Sequence, residues 1–403
     1  MNLKTNGLTD LKLTQSLETI WSQVTGTAKP GFIRILSDDL NWTLSEKWGK
    51  ILKDKYSRIV LLGIGGSSMG ARALANYKYS DQILFLDNID PSEVQWVWNK
   101  IKHDLKNTGF MIISKSGESL EITSLIEVFH QLTADQNFNL FENSYIISEN
   151  KKSILTDLCQ AEKIPLIEMP LDVGGRFSVL TPVGMVLAHF LDFDIQKIRK
   201  GALDALAKKP QLLELATELA ISIRNETDLF VFWSYSSQLR WFNQWLSQLW
   251  GESLGKNKTV TNGQAPKIPW LAGATGCSDQ HSVYQHILES TQKKYVLITQ
   301  SLEAFPEFNF KKPNLSFFKG KGFQLFDILS AERDATAQAM KQYGIPVSQM
   351  LFEKYDDETI GFLFAWFETL TAVLGHHLNI NPFDQPAVQL GKRIALENLH
   401  LNG

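Results

Sequence analysis

The stretch Arg58-Ile59-Val60-Leu61-Leu62-Gly63-Ile64-Gly65-Gly66-Ser67-Ser68 decides the fold. An unbroken apolar run ends in glycines and serines. A strand covered on both faces reads this way, because neither face meets water. The pattern recurs where Gly109-Phe110-Met111-Ile112-Ile113 runs into Ser114-Lys115-Ser116-Gly117-Glu118-Ser119. Helix-like sequence follows both loops. The first turn of a helix at such a junction offers unpaired N–H groups and the positive end of a dipole. Two such ends in one sheet make a site for an anion, most simply a phosphate.

Working outward, residues 59–62, 82–87, 109–113, 143–148 and 165–168 read as strands. Helical stretches at 70–77, 91–99, 120–132 and 153–161 alternate with them. Repeated units of this spacing predict a parallel, doubly wound sheet. A Gly-Gly pair in Asp172–Ser178 breaks the rhythm, and 181–190 resumes as helix. Residues 195–226 are amphipathic and read as a bridge to a second α/β series. That series has strands at 229–233, 295–299 and 350–352, and helices at 237–250, 330–343 and 358–375. The expected organisation is a helical extension (1–54), a first α/β lobe (55–200), a second (201–375) and a C-terminal segment (376–403). The fold class is α/β, with two doubly wound parallel-sheet lobes flanked by helices.

Composition narrows the function. The chain has 403 residues, 44% hydrophobic, with a net charge of −3. That balance argues against nucleic acid or an anionic membrane as the main partner. Two distant cysteines, Cys159 and Cys277, make no disulfide framework and suit a reducing cytoplasm. The apolar run 360–375 contains Glu368 and is too short for a membrane span, so it reads as a buried helix. The N-terminus lacks the apolar run of a signal peptide.

Several motifs have rival readings. The first loop has Ser68 where a dinucleotide fingerprint needs a third glycine, yet Asp87 ends the next strand where a ribose-binding acid would stand. Ser114, Ser116 and Ser119 beside Lys115 exceed the needs of helix capping and suit a phosphate dianion. Gly251-Glu252-Ser253-Leu254-Gly255-Lys256 is one residue short of a Walker loop and follows a helix, which excludes nucleotide hydrolysis. Glu252 then stands at the end of a Trp- and Leu-rich helix as a candidate base. Arg176, after two glycines, suits either an oxyanion or an interlobe salt bridge. His281 ends a polar loop, read as flexible, and is a candidate proton carrier. His376-His377 reads as core packing. No metal-ligand spacing is present, and no metal is expected.

Together and in this order, these segments resemble the glucose-6-phosphate isomerase (phosphoglucose isomerase) family, from about residue 58 to the end. The first loop resembles its Gly-Ile-Gly-Gly-Ser segment. Ser114–Glu121 resembles Ser-Lys-Thr-Gly-Thr-Thr-x-Glu, and Val173–Ser178 resembles Gly-Gly-Arg-Phe-Ser. Glu252–Lys256 resembles Glu-Ser-x-Gly-Lys, and Thr275–Gln285 a loop ending Gln-His-x-x-Tyr-Gln. Asp384–Lys392 resembles Asp-Gln-Pro-Gly-Val-Glu-Leu-Gly-Lys. The resemblance implies the sugar-isomerase fold and interconversion of glucose 6-phosphate with fructose 6-phosphate through an enediolate, without a cofactor. It implies that Gly66, Ser67, Ser114, Lys115, Ser116 and Ser119 bind substrate, chiefly its phosphate. Glu252 matches the base that moves a proton between C2 and C1, and Arg176 the residue that stabilises the enediolate. His281 and Lys392 match groups that assist ring opening. Glu121 matches a carboxylate near that histidine, and Gln248 a substrate-side glutamine. A homodimer sharing His281 across subunits is implied as well. Ser116 and Ser119 stand where the family has threonines, Ala387 where it has glycine, and Gln389 where it has glutamate. Cys277-Ser278-Asp279 replaces a commoner Thr-Asn-Gly type of sequence. Glu118 puts an acid beside the expected phosphate and is expected to point outward.

Overall fold

The computed structural model describes residues 1–312, 314–319 and 321–400. Its strands, in chain order, are β1 (Asn2–Lys4), β2 (Arg58–Leu62), β3 (Ile83–Leu86), β4 (Thr108–Ile113), β5 (Ser144–Ser148), β6 (Leu166–Glu168), β7 (Leu229–Ser234), β8 (Trp270–Thr275), β9 (Lys294–Ser301), β10 (Asn309–Phe310), β11 (Phe323–Gln324) and β12 (Val347–Phe352). The first sheet has the order β3-β2-β4-β5-β6, all parallel. Ile59 lies opposite Gly109, and Leu62 opposite Ile112. The apolar runs of β2 and β4 are buried, as unalternating strands require. The chain leaves β2 for β3 on one side, then crosses to β4 on the other. The C-terminal ends of β2 and β4 therefore flank the point where winding reverses, the usual crevice for a ligand in such sheets.

The second sheet has the order β1-β12-β9-β7-β8. Its parallel strands β12, β9, β7 and β8 form the second lobe. Two of its strands differ from the sequence expectation. β1 comes from the N-terminal extension and pairs antiparallel with β12, Asn2 opposite Leu351. β8 occupies a stretch partly read as loop; it is an edge strand with glycine at 273, and its exposed residues Trp270 and Gly273 lie on opposite faces. The extension is therefore not only helical. Its helix Asp39–Lys55 packs on Pro182–Phe190, and Leu11–Thr25 packs on Asp357–His377.

The bridge between lobes is a pair of helices, Ile195–Ala207 and Lys209–Arg224. The first packs along Asp357–His377, whose residues from Ile360 to Gly375 are all buried. That helix is long and apolar enough to cross a membrane, but most of it lies inside the protein. His376 and His377 end it, His376 exposed and His377 half-buried, rather than in the core. Desolvation nonetheless holds both imidazoles below their usual pKa range, His376 having one edge set against Phe383 although the residue is exposed as a whole.

Candidate active site

The two loops read first from the sequence meet in one cleft of about 530 Å³. Gly66 passes so close to the other glycine loop that a Cβ there would fall on the Gly175 carbonyl group. Only glycine permits that approach, and it brings Arg176 against the phosphate-type loops. Gly117 has φ +71°, and a Cβ there would strike the Ser153 hydroxyl. The loop between β4 and the helix Leu120–Ala134 turns on this residue.

The serines are not spent on capping. Ser119 holds the N-cap position of Leu120–Ala134 without a side-chain cap bond. Its hydroxyl lies 3.0 Å from that of Ser114, which also accepts from the Gly117 amide at 3.2 Å. Ser116 accepts from the Glu118 amide at 3.2 Å. Glu118 itself is exposed and does not line the cleft. Hydroxyls, Lys115 and a helix N-terminus thus face one space.

Arg176 is buried and nearly all its donors are engaged. Nε donates to Ser253 Oγ at 2.7 Å, and Nη1 to Gln385 Oε1 at 2.7 Å. Nη2 donates to the carbonyls of Pro382 and Asp384, at 2.5 and 3.0 Å. Glu252 Oε2 lies 3.5 Å from Nη1. Burial lowers the guanidinium pKa, opposed by Glu252 and Asp384, but an arginine stays charged. The two readings of Arg176 merge, since one cation both joins the lobes and borders the cleft. Asp172, four residues earlier, pairs instead with Arg34 at 2.8 Å.

Glu252 occupies the last turn of Arg240–Leu254, half-buried. Its surroundings are less apolar than its helix suggested. Gln248, one turn earlier, donates to Oε1 at 3.1 Å. Lys256 Nζ donates to the Glu252 carbonyl at 2.7 Å and to the Asp384 carbonyl at 2.5 Å. Burial lowers the Lys256 pKa. Together with Phe383, whose ring packs at a tilt against Phe177 and Phe32, this fastens the C-terminal segment over the cleft. Lys392, on the helix Val388–Asn398, lines the cleft from there.

Of the expected site residues, Gly66, Ser67, Ser114, Lys115, Ser116, Ser119, Arg176, Gln248, Glu252 and Lys392 line this one cleft. Glu121 and His281 do not line it. Glu121 sits in the first turn of Leu120–Ala134. His281 is exposed at the end of a short 3-10 turn, Ser278–His281, in the second lobe. The loop carrying it is anchored by two side chains. Asp279 accepts from the Thr275 amide at 2.6 Å, and Gln280 donates to the Tyr235 hydroxyl at 3.0 Å. Glu149 and Lys151 line the cleft too; the sequence reading missed both, because they follow β5 in a polar run that reads as a solvated turn. The dinucleotide reading loses its acid, since Asp87 is held bidentate by Arg72 at 2.5 and 2.8 Å. Among the described residues no cluster fits a metal ion.

Residues 40–296 match the family model for phosphoglucose isomerase. The chain is 31% identical to a probable glucose-6-phosphate isomerase of Methanococcus maripaludis, over 92% of this chain and 84% of that one. It is 30% identical to the glucose-6-phosphate isomerase of Campylobacter jejuni, covering 92% and 91%. A hypothetical protein of Thermus thermophilus superposes with a TM-score of 0.83 at 25% identity, covering 96% and 95%. The fold is also shared with a glucose-6-phosphate isomerase structure from Chlamydia trachomatis, with a TM-score of 0.77 over 99% of this chain and 80% of that one, at 24% identity.

Proposed function

Since this chain belongs to the phosphoglucose isomerase family of aldose–ketose isomerases, we propose that it interconverts glucose 6-phosphate and fructose 6-phosphate in this cleft, with Glu252 as the base. The supporting observation is the convergence of a hydroxyl- and lysine-lined anion site with a carboxylate beside a buried arginine. The phosphate binds to the 114–119 loop. That binding energy, remote from the reacting carbons, orients C1 and C2 toward Glu252. Glu252 removes the C2 proton and returns it to C1. Gln248 holds one of its oxygens, which keeps the carboxylate aimed.

The enediolate carries negative charge near the Arg176 guanidinium. Because the arginine's donors are already engaged, it acts as a fixed, desolvated charge that needs no reorganisation. Lys392 assists ring opening from one side. His281 of a second copy in a homodimer completes that step, with Glu121, in the first turn after the serine loop, as the carboxylate beside it. Proton transfer within one molecule leaves its oxidation state unchanged, so no cofactor enters. Two unpaired cysteines suit a cytoplasmic setting.

The deciding experiment is Glu252→Gln. General acid–base catalysis is typically worth ~10²–10⁴-fold, so turnover drops by at least about a hundredfold while fructose 6-phosphate still binds. Wild-type turnover in this variant would remove Glu252 from the reaction.

A further inference from the structure

Two charged residues of the cleft have no part in the chemistry above. Glu149 immediately follows β5, and its side chain is only 5% exposed. It lies between two ammonium groups. Lys115 Nζ stands 3.5 Å from one of its oxygens, and Lys151 Nζ is paired with the other. A carboxylate nearly buried at the anion end of a cleft repels a phosphate unless cations offset it. Here two lysines face one carboxylate, which leaves a surplus positive charge in the anion site.

The turn that carries them is fastened to the serine loop. Ser148 Oγ donates to the Ser114 carbonyl at 2.8 Å, and the Glu149 amide donates to the Lys115 carbonyl at 3.4 Å. The Lys151 amide donates back to the Glu149 carbonyl at 2.9 Å. Lys151 therefore reaches the cleft from a hydrogen-bonded turn after β5, one step beyond the reversal point of the sheet. We propose that Lys151 is a second phosphoryl-binding lysine, and that Glu149 is the positioning residue that aims it. The inference rests on the reading of the 114–119 loop as the phosphate site. A phosphate dianion offers several acceptor oxygens and competes with Glu149 for the ammonium groups. Lys115 is at the outer limit of a hydrogen bond to Glu149 and turns toward the phosphate at little cost, while Lys151 stays on the carboxylate and meets the phosphate from the other side.

Calorimetry with inorganic phosphate and steady-state kinetics with fructose 6-phosphate, on the full chain, test this. Lys151→Met weakens phosphate binding by roughly 5- to 20-fold, as expected for a half-exposed charge-assisted contact. It raises KM by a similar factor, changes kcat by less than about twofold because the contact is made equally in ground and transition states, and Lys151→Arg restores most of the loss. Unchanged phosphate affinity and KM in Lys151→Met would overturn the binding role. Glu149→Gln separates positioning from plain charge. Removing a negative charge from an anion site tightens binding by Coulomb attraction alone, whereas lost aim weakens it. Weaker binding, with the loss shrinking when Lys151→Met is already present, is the expected result; tighter binding or strictly additive losses would overturn the positioning role. If the wild-type chain binds no phosphate at all, the phosphate-loop reading fails, a result distinct from a Lys151 variant that binds as wild type does.

Discussion

Glu368 sits within the helix Asp357–His377 with no exposed surface, and neither of its carboxyl oxygens has a hydrogen-bond partner among the described residues. Burial pushes its pKa well above the ordinary carboxyl range, so the group is neutral in the folded protein. The unfolded chain ionises it near the model-peptide value of about 4.3. The folded state thus holds a proton that the unfolded state releases. The stabilising contribution is full below that value and declines as pH rises toward the folded pKa, by about 1.4 kcal/mol per pH unit. Glu368→Gln removes this dependence. In urea melts the variant gains on the wild type between pH 5 and pH 8, and a pH-independent difference would show that the carboxyl is already ionised in the fold. Arg176 is the opposite case. It too is buried, but Ser253, Gln385 and two carbonyls hold its charge, and that charge faces the cleft. Of these two residues, the sequence marked Arg176 through its glycines; the helical pattern around Glu368 marked only burial.

At the scale of elements, the site depends on two loops that touch. Gly66→Ala drives a methyl group into the Gly175 carbonyl, so the loops separate and Arg176 moves with one of them. Overpacking of this kind costs about 1–3 kcal/mol, and the KM for fructose 6-phosphate rises as well. Gly251→Ala is the contrast, since its added methyl meets nothing within 4 Å on the helix Arg240–Leu254. It gains up to about 1 kcal/mol of helix propensity. Calorimetric melts in which both variants fall together would refute the claim that the Gly66–Gly175 approach is the sensitive one. These loops were legible because glycine and serine interrupt strongly apolar strands. β1 and β8 were not. Three residues of β1 form a strand only because β12 offers an open edge, and β8 has Ala-Gly-Ala where strands prefer branched side chains. Glu149 and Lys151 were hidden for a related reason. Ser148-Glu149-Asn150-Lys151-Lys152 has the composition of a solvated turn, and the packing of β5 beside β4 buries Glu149, which pairs with Lys151 at the cleft.

At the scale of the whole molecule, one chain accounts for most of the cleft but leaves His281 outside it. The same chain exposes apolar groups that a monomer would ordinarily cover. Phe305, Phe308, Phe310 and Phe317 lie 45–85% exposed around the short hairpin of β10 and β11. The helix Val388–Asn398, which carries Lys392, has no buried residue and shows Val388, Leu390 and Ile394 to solvent. A second copy that covered such surfaces and supplied His281 would join the residues that one chain keeps apart. This arrangement has a quantitative consequence. Glu252→Gln and His281→Ala each inactivate a homodimer. In a mixed dimer, one cleft combines the intact Glu252 of one chain with the intact His281 of the other, while the second cleft lacks both. Unfolding and refolding an equimolar mixture makes half the dimers mixed, each with one working cleft, so specific activity returns to about one quarter of wild type. The two inactive proteins refolded separately and then assayed together stay inactive if subunits do not exchange. Activity that fails to return on co-refolding, although sedimentation shows mixed dimers, would place both groups in the same subunit's cleft.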